Sequence, residues 1–230
     1  MSQRKATSAA PADPAKRART VIWILLGVIL AAGAIWYAVF TLNKPAPVAV
    51  QPVADAQLVR ENSHRVTAPA TEKAQLVEFL DFECEACKAA EPVVAELKAE
   101  FGDRITVVHR YFPLSAHRNS GQAALAVEAA AQQGKYEQMA AKMFETQPQW
   151  GEKQDSQAPL FRTFAEELGL DLTAYDAAVA NEATKDRIRQ DIADGKALGV
   201  TGTPTFFLNG EKLTPNTMEE FRQKLADAAQ

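Results

Sequence analysis

The sequence predicts an α/β domain with an inserted helical block, preceded by one membrane-spanning helix. Three observations carry this. Residues 21–42 read VIWILLGVILAAGAIWYAVFTL, a stretch without a formal charge. An apolar run at 74–82 and a strand-like segment, RITVVHRYF at 104–112, flank a helix-forming stretch, the alternation expected of strand, helix and strand. From Asn119 to Ala197 the chain is Ala-rich and helical in period, and strand character returns only at Thr205.

The elements follow in order. Residues 1–20 carry Arg4, Lys5, Lys16, Arg17 and Arg19 against Asp13, and their Ala, Ser and charge content predicts a disordered tail. At about 1.5 Å per residue the 21–42 run can cross a hydrocarbon core of about 30 Å. Trp23 stands near one end, with Trp36 and Tyr37 near the other, as interface aromatics do. A cleaved signal peptide is the alternative, but its apolar core is normally about 7–15 residues, so a retained transmembrane helix is the reading adopted. The basic residues before the run, against Lys44 alone just after it, put the N-terminus in the cytoplasm and the rest outside the cytoplasmic membrane. Pro45, Pro47 and Pro52 among small residues make 43–66 an extended spacer. The stretch to Thr71 has room for an irregular strand. Residues 67–230 form the folded domain.

Within that domain, 74–82 reads as a buried strand and 84–101 as a helix ended by Gly102. Pro92 should bend that helix or break it. A second strand spans 104–112. Breaks at Gly134, at Pro148-Gln149-Trp150-Gly151, at Gly169 and at Asn181 divide the Ala-rich block into four or five helices. Met139, Met143, Phe144, Leu160, Phe161, Phe164 and Leu168 mark their apolar faces. Thr205–Leu208 and Glu211–Leu213 flank Asn209-Gly210, a hairpin signal, and 217–229 closes the chain as an amphipathic helix.

The only two cysteines stand in Cys84-Glu85-Ala86-Cys87, between the first strand and its helix. Residues i and i+3 share a helix face, so the sulfurs can meet, with Cys84 toward solvent and Cys87 inward. Cys84 lies at the helix N-terminus, where backbone N–H groups and the dipole favour a thiolate, the nucleophile of disulfide exchange. In this setting the pair reads as a redox centre. Three other readings compete. A metal site would need more ligands, and His64, His109 and His117 fit no zinc spacing. A structural disulfide usually closes a longer loop. Two inert thiols fit the strand–helix setting least. From Val66 onward, 17 Lys and Arg face 26 Asp and Glu; this acidic balance leaves no footprint for nucleic acid.

The segments VEFLDFECEAC (77–87), HRYFPLSAHRNS (109–120) and GVTGTPTFFLNG (199–210), in that order, resemble the thioredoxin fold. The helical insertion, about 115–199, makes the chain similar to the DsbA family of disulfide oxidoreductases over roughly Ala68 to Gln230. The resemblance implies that Cys84 attacks and that Cys87 is the buried resolving cysteine. It implies that Pro204 is cis and faces the sulfurs, and that the Thr203 backbone pairs with a substrate strand. It implies that Glu78 is the buried acid behind the pair. A carboxylate among Leu76, Val77, Phe79 and Leu80 is costly to bury unless partnered or neutral. The alternative is a solvated Glu78 at a strand edge. His109 and His117 receive no role; the first reads as a core histidine and the second as part of a helix start.

The chain departs from the family's best-known oxidase between the cysteines, with Glu85-Ala86 where that member has Pro-His. Glu85 should disfavour the thiolate, so Glu85 and Ala86 are the tuning positions. The function expected is an extracytoplasmic oxidoreductase that introduces disulfides into exported, cysteine-containing proteins. No third cysteine exists, so a separate redox partner must restore it. No metal or organic cofactor is implied. The rivals are a reductase of the same fold, for example toward cytochrome apoproteins, and a non-catalytic extracytoplasmic binding module.

Overall fold

A computed structural model describes residues 56–230 together with Trp23, Gly27 and Gly33. The tail, most of the 21–42 run and the spacer to residue 55 lie outside the described residues. Among those described, no helix is long and apolar enough to cross a membrane. The chain divides into units Met1–Ala49 and Val50–Gln230, and the second contains the elements below.

Residues 56–230 hold five strands and seven helices. In chain order they are β1 (His64–Arg65), β2 (Ala74–Leu80), α1 (Glu85–Phe101), β3 (Ile105–Tyr111), α2 (Ser120–Ala131), α3 (Tyr136–Trp150), α4 (Ala158–Glu167), α5 (Leu172–Ala180), α6 (Glu182–Ala197), β4 (Thr205–Leu208), β5 (Glu211–Lys212) and α7 (Met218–Ala228). The strands form one sheet in the order β1-β3-β2-β4-β5. β2 pairs parallel with β3 and antiparallel with β4. It is therefore central, which explains the continuous apolar run. The result is a mixed thioredoxin-like sheet with the helices α2–α6 inserted between β3 and β4.

Each sheet face has its own core. Leu76, Ile105, Val107 and Phe206 meet Ala90, Val94 and Leu97 of α1 and Phe221 and Leu225 of α7. On the opposite face Val77, Phe79, Val108 and Phe207 meet Val200 and Phe112. α6 comes so near here that a Cβ on Gly195 would lie 2.8 Å from the Phe112 ring, so only glycine fits without a shift. The insertion has a third core around Met139, Met143, Trp150 and Phe161, which reaches Phe82 and both cysteines.

Several sequence expectations change. α1 passes through Pro92 without interruption. Pro92 is exposed, so the Lys88 carbonyl that it leaves without an i+4 donor lies on the water side. α3 includes Pro148 but ends at Trp150, within the expected Pro148–Gly151 break. Trp150 is fully buried, 4.8 Å from the Phe161 ring in an edge-to-face contact that anchors this helix end.

Residues 56–65, read from the sequence as the end of the spacer, lie against the domain. Arg110, fully buried on β3, donates to the carbonyls of Gln57 (3.0 Å) and Leu58 (2.6 Å). The same guanidinium pairs with Asp191 (2.7 Å) and Asp194 (2.6 Å) of α6, and Asp194 also holds Arg60 (2.6 Å). A buried charge survives only when paired and hydrogen-bonded in this way.

Candidate active site

β2 ends at Leu80 and the chain turns at once. The Cys84 N–H donates to the Asp81 carbonyl at 3.1 Å, and Cys84 becomes the N-cap of α1. Both thiols are free. Cys84 is 7% exposed and Cys87 1%. The order matches the helix-geometry expectation, but Cys84 is nearly covered rather than open to solvent. The cover is the insertion: Gln147 of α3 donates to the carbonyls of Phe82 (2.8 Å) and Cys84 (3.0 Å).

From the other side comes the loop before β4. Its Thr203–Pro204 peptide is cis. The Cys84 thiol donates to the Thr203 carbonyl at 3.3 Å. The Thr203 hydroxyl is buried without a hydrogen-bond partner among the described residues. An ionised sulfur can no longer donate and can instead accept from that hydroxyl.

Cys84 is held down to about 5 from an ordinary 9.0. The Cys87 thiol, as hydrogen-bond donor, is the largest cause. Burial works against it, while the Thr203 hydroxyl and the N–H groups of Cys87 and Ala86 act with it. The helix start therefore acts as the sequence predicts, and the backbone of Ala86 takes part directly. Glu85 and the Ala86 side chain are exposed. Cys87 moves oppositely: burial pushes it far above 9.0, and the Cys84 sulfur and Glu78 add to the rise.

Glu78 is 3% exposed in the central strand, so the solvated strand-edge alternative fails. Its pKa is raised to about 8, chiefly by burial and then by Glu91, with Lys98 opposing. At neutral pH it is largely a protonated acid behind Cys87. Across the β2–β3 pairing stands His109, its Nε2 3.7 Å from Glu78 and without a hydrogen-bond partner among the described residues. Its Nδ1 lies 3.0 Å from the Tyr136 hydroxyl. Burial, with Lys98 and His64 adding, lowers His109 to about 3, so the ring is neutral. His109 is thus the core histidine that the sequence implied, but it borders the buried acid.

Three residues escaped the sequence reading: Asp81, Glu83 and Gln147. Asp81 and Glu83 are each 1% exposed. Glu83 accepts from the N–H groups of Asn119 (2.6 Å) and Glu152 (3.0 Å) and so ties the insertion to the turn before Cys84. The sequence shows two carboxylates flanking Phe82 but not their burial, which depends on partners 33 to 69 residues away; Gln147 gave no signal. Among the described residues no cluster of three or more His, Cys, Asp or Glu could hold a metal ion.

The family model described as thioredoxin matches residues 64–227. The chain belongs to the thioredoxin family. Among solved structures it is similar to a thioredoxin-like oxidoreductase from Silicibacter pomeroyi DSS-3, with a TM-score of 0.64 and 25% identity over 76% of this chain and 96% of that one. It shares its fold with alpha-DsbA1 of Wolbachia pipientis (TM-score 0.65, 19% identity, 74% and 92% covered). The same holds for oxidised BdbD of Bacillus subtilis (0.61, 17%, 71% and 91%). Among curated sequences it is 32% identical over 209 residues to the Na(+)/H(+) antiporter NhaA 1 of Mycobacterium sp. strain KMS, covering 87% of this chain and 32% of that protein. The chain thus spans about a third of the length of the curated relatives it matches. Family model, fold and the free cysteine pair at the start of α1 agree in placing the chain in the thioredoxin family.

Proposed function

We propose that the chain oxidises cysteine pairs in exported proteins, working outside the cytoplasmic membrane to which residues 21–42 anchor it. The observation that carries the oxidising direction is the lowered Cys84. Whatever stabilises its thiolate stabilises the dithiol enzyme, and a stable dithiol makes the disulfide form a stronger oxidant.

In the disulfide form a substrate thiolate attacks the Cys84 sulfur. The Cys84–Cys87 bond breaks, and its electron pair leaves on Cys87. Glu78, protonated near neutral pH, gives that sulfur its proton. A second substrate thiolate then attacks the substrate sulfur of the mixed disulfide and expels Cys84 as a thiolate. The substrate loses two electrons, the enzyme gains them, and a separate oxidant must restore the pair. The cis Thr203–Pro204 segment, beside Cys84, is where an extended substrate would lie. We assign no ion transport to this chain, which covers a third or less of the antiporters it matches.

Equilibration with glutathione buffers tests the direction. An oxidase places the pair nearer the roughly −120 mV of strong oxidants than the roughly −270 mV of thioredoxin. A value at the reducing end would make the chain a reductase.

A further inference from the structure

The dipeptide between the cysteines offers Cys84 no cation, and two carboxylates stand close by. Asp81 lies one tight turn away, its carbonyl accepting from the Cys84 N–H at 3.1 Å and its own N–H directed at the Cys87 sulfur at 3.5 Å. Glu83 adjoins Cys84 in the chain and is equally buried. Once Cys84 ionises, three negative groups crowd one small turn, an arrangement that opposes ionisation unless a positive charge offsets it.

His117 stands where that charge is needed. Its Nδ1 lies 2.7 Å from an Asp81 carboxylate oxygen. Asp81 is fixed by two further donors, the N–H groups of Glu83 (2.8 Å) and Leu114 (2.9 Å). The loop presenting His117 is pinned in turn. The His117 N–H donates to the Leu114 carbonyl at 3.1 Å, and the Ser120 hydroxyl reaches the carbonyls of Leu114 (3.1 Å) and His117 (3.0 Å). The imidazole keeps 21% of its surface exposed, so a charged ring retains water on one side.

Resting on the oxidoreductase reading above, we propose that His117, fixed by Asp81, is the positioning residue that supplies the positive charge facing the Cys84 thiolate. The ring meets Asp81 directly, and Asp81 belongs to the same turn as Glu83 and Cys84. Partial burial works against its charge, but Asp81, then Cys84 and Glu83, outweigh it and raise its pKa above 6.5. In this chain a histidine from the loop after β3 does what the Glu85-Ala86 dipeptide cannot.

The test compares His117→Gln and His117→Lys with the unchanged protein, by thiolate absorbance against pH and by glutathione equilibration. His117→Gln should make Cys84 about three- to tenfold less acidic, the size of one partly solvated charge. It should shift the glutathione equilibrium by the same factor, about 15–30 mV toward reducing. His117→Lys should restore most of both. If neither variant moves Cys84, or if both weaken it equally, charge is not the role and the inference falls. A second measurement needs no change at His117. By reciprocity, the His117 pKa read by NMR in the reduced protein should fall when Cys84 is replaced by Ser; no change would overturn the proposal. Absence of any disulfide exchange by the unchanged protein would instead defeat the functional reading, and the two failures are thereby distinct.

Discussion

Two sulfurs three residues apart sit in opposite surroundings. Cys84 faces a side built of donors: the Cys87 thiol, the Thr203 hydroxyl and two backbone N–H groups at the start of α1. Cys87 faces the sheet, where Glu78 of β2 and a neutral His109 of the neighbouring β3 lie within apolar packing. The first side lowers a thiol and the second raises one. The motif supplies the spacing, and the two sides supply the chemistry. A C-x-x-C pair alone therefore says little about redox poise.

The largest effect comes from deleting either sulfur. Cys84→Ala should abolish exchange and trap no client. Cys87→Ala should accumulate mixed disulfides, because the sulfur that resolves them is gone. Equal trapping by both variants, on non-reducing gels of cell extracts, would erase the front-and-back distinction.

Next is the acid at the back. The folded pKa of Glu78, about 8, lies above its ordinary 4.5. Between those values the folded state binds more protons than the unfolded one, so stability falls as pH rises through that window. Glu78→Gln keeps a neutral group there. Denaturant midpoints should show the variant gaining a few kcal/mol at about pH 9 and little at about pH 5. The exchange step that releases Cys87 should slow by roughly 10²-fold or more, as for loss of a general acid. Equal stability of the two proteins at high pH would mean that Glu78 ionises freely.

The cover over Cys84 ranks third. Gln147→Ala leaves the Phe82 and Cys84 carbonyls without their side-chain donor, which should cost about 1–3 kcal/mol. Faster alkylation of Cys84 would accompany it. Glu85→Gln is the smallest change, since Glu85 is exposed and screened. A shift of about 10–40 mV toward oxidising is the expected ceiling by glutathione equilibration.

The sequence made the sheet legible because β2 reads as an apolar run, RITVVHRYF carries the next strand, and the cysteine pair marks the turn between β2 and α1. Gly134, Gly169 and Asn181 correctly divided the helices; the glycines take positive φ, and the Asn181 side chain caps α6. The Pro148–Gly151 break also fell in the right place, since α3 ends at Trp150; Pro92 does not interrupt α1, because a proline on a helix's exposed face leaves its freed carbonyl to water. In the site, the cysteine pair stood out in the sequence, and the family resemblance pointed to Glu78 and Thr203-Pro204, which the fold brings beside it. Asp81, Glu83, His117 and Gln147 were not, because their partners lie 30 to 70 residues away or on another element, and no local pattern encodes such pairings.

The most direct test is the thiol titration of the reduced protein, with each sulfur followed separately by pH-dependent alkylation and mass analysis. Cys84 should be half-ionised near pH 5, while Cys87 stays a thiol beyond the ordinary 9.0. Titration of both sulfurs together near 9, or ionisation of Cys87 before Cys84, would contradict the claim that the two sides of the turn set the chemistry.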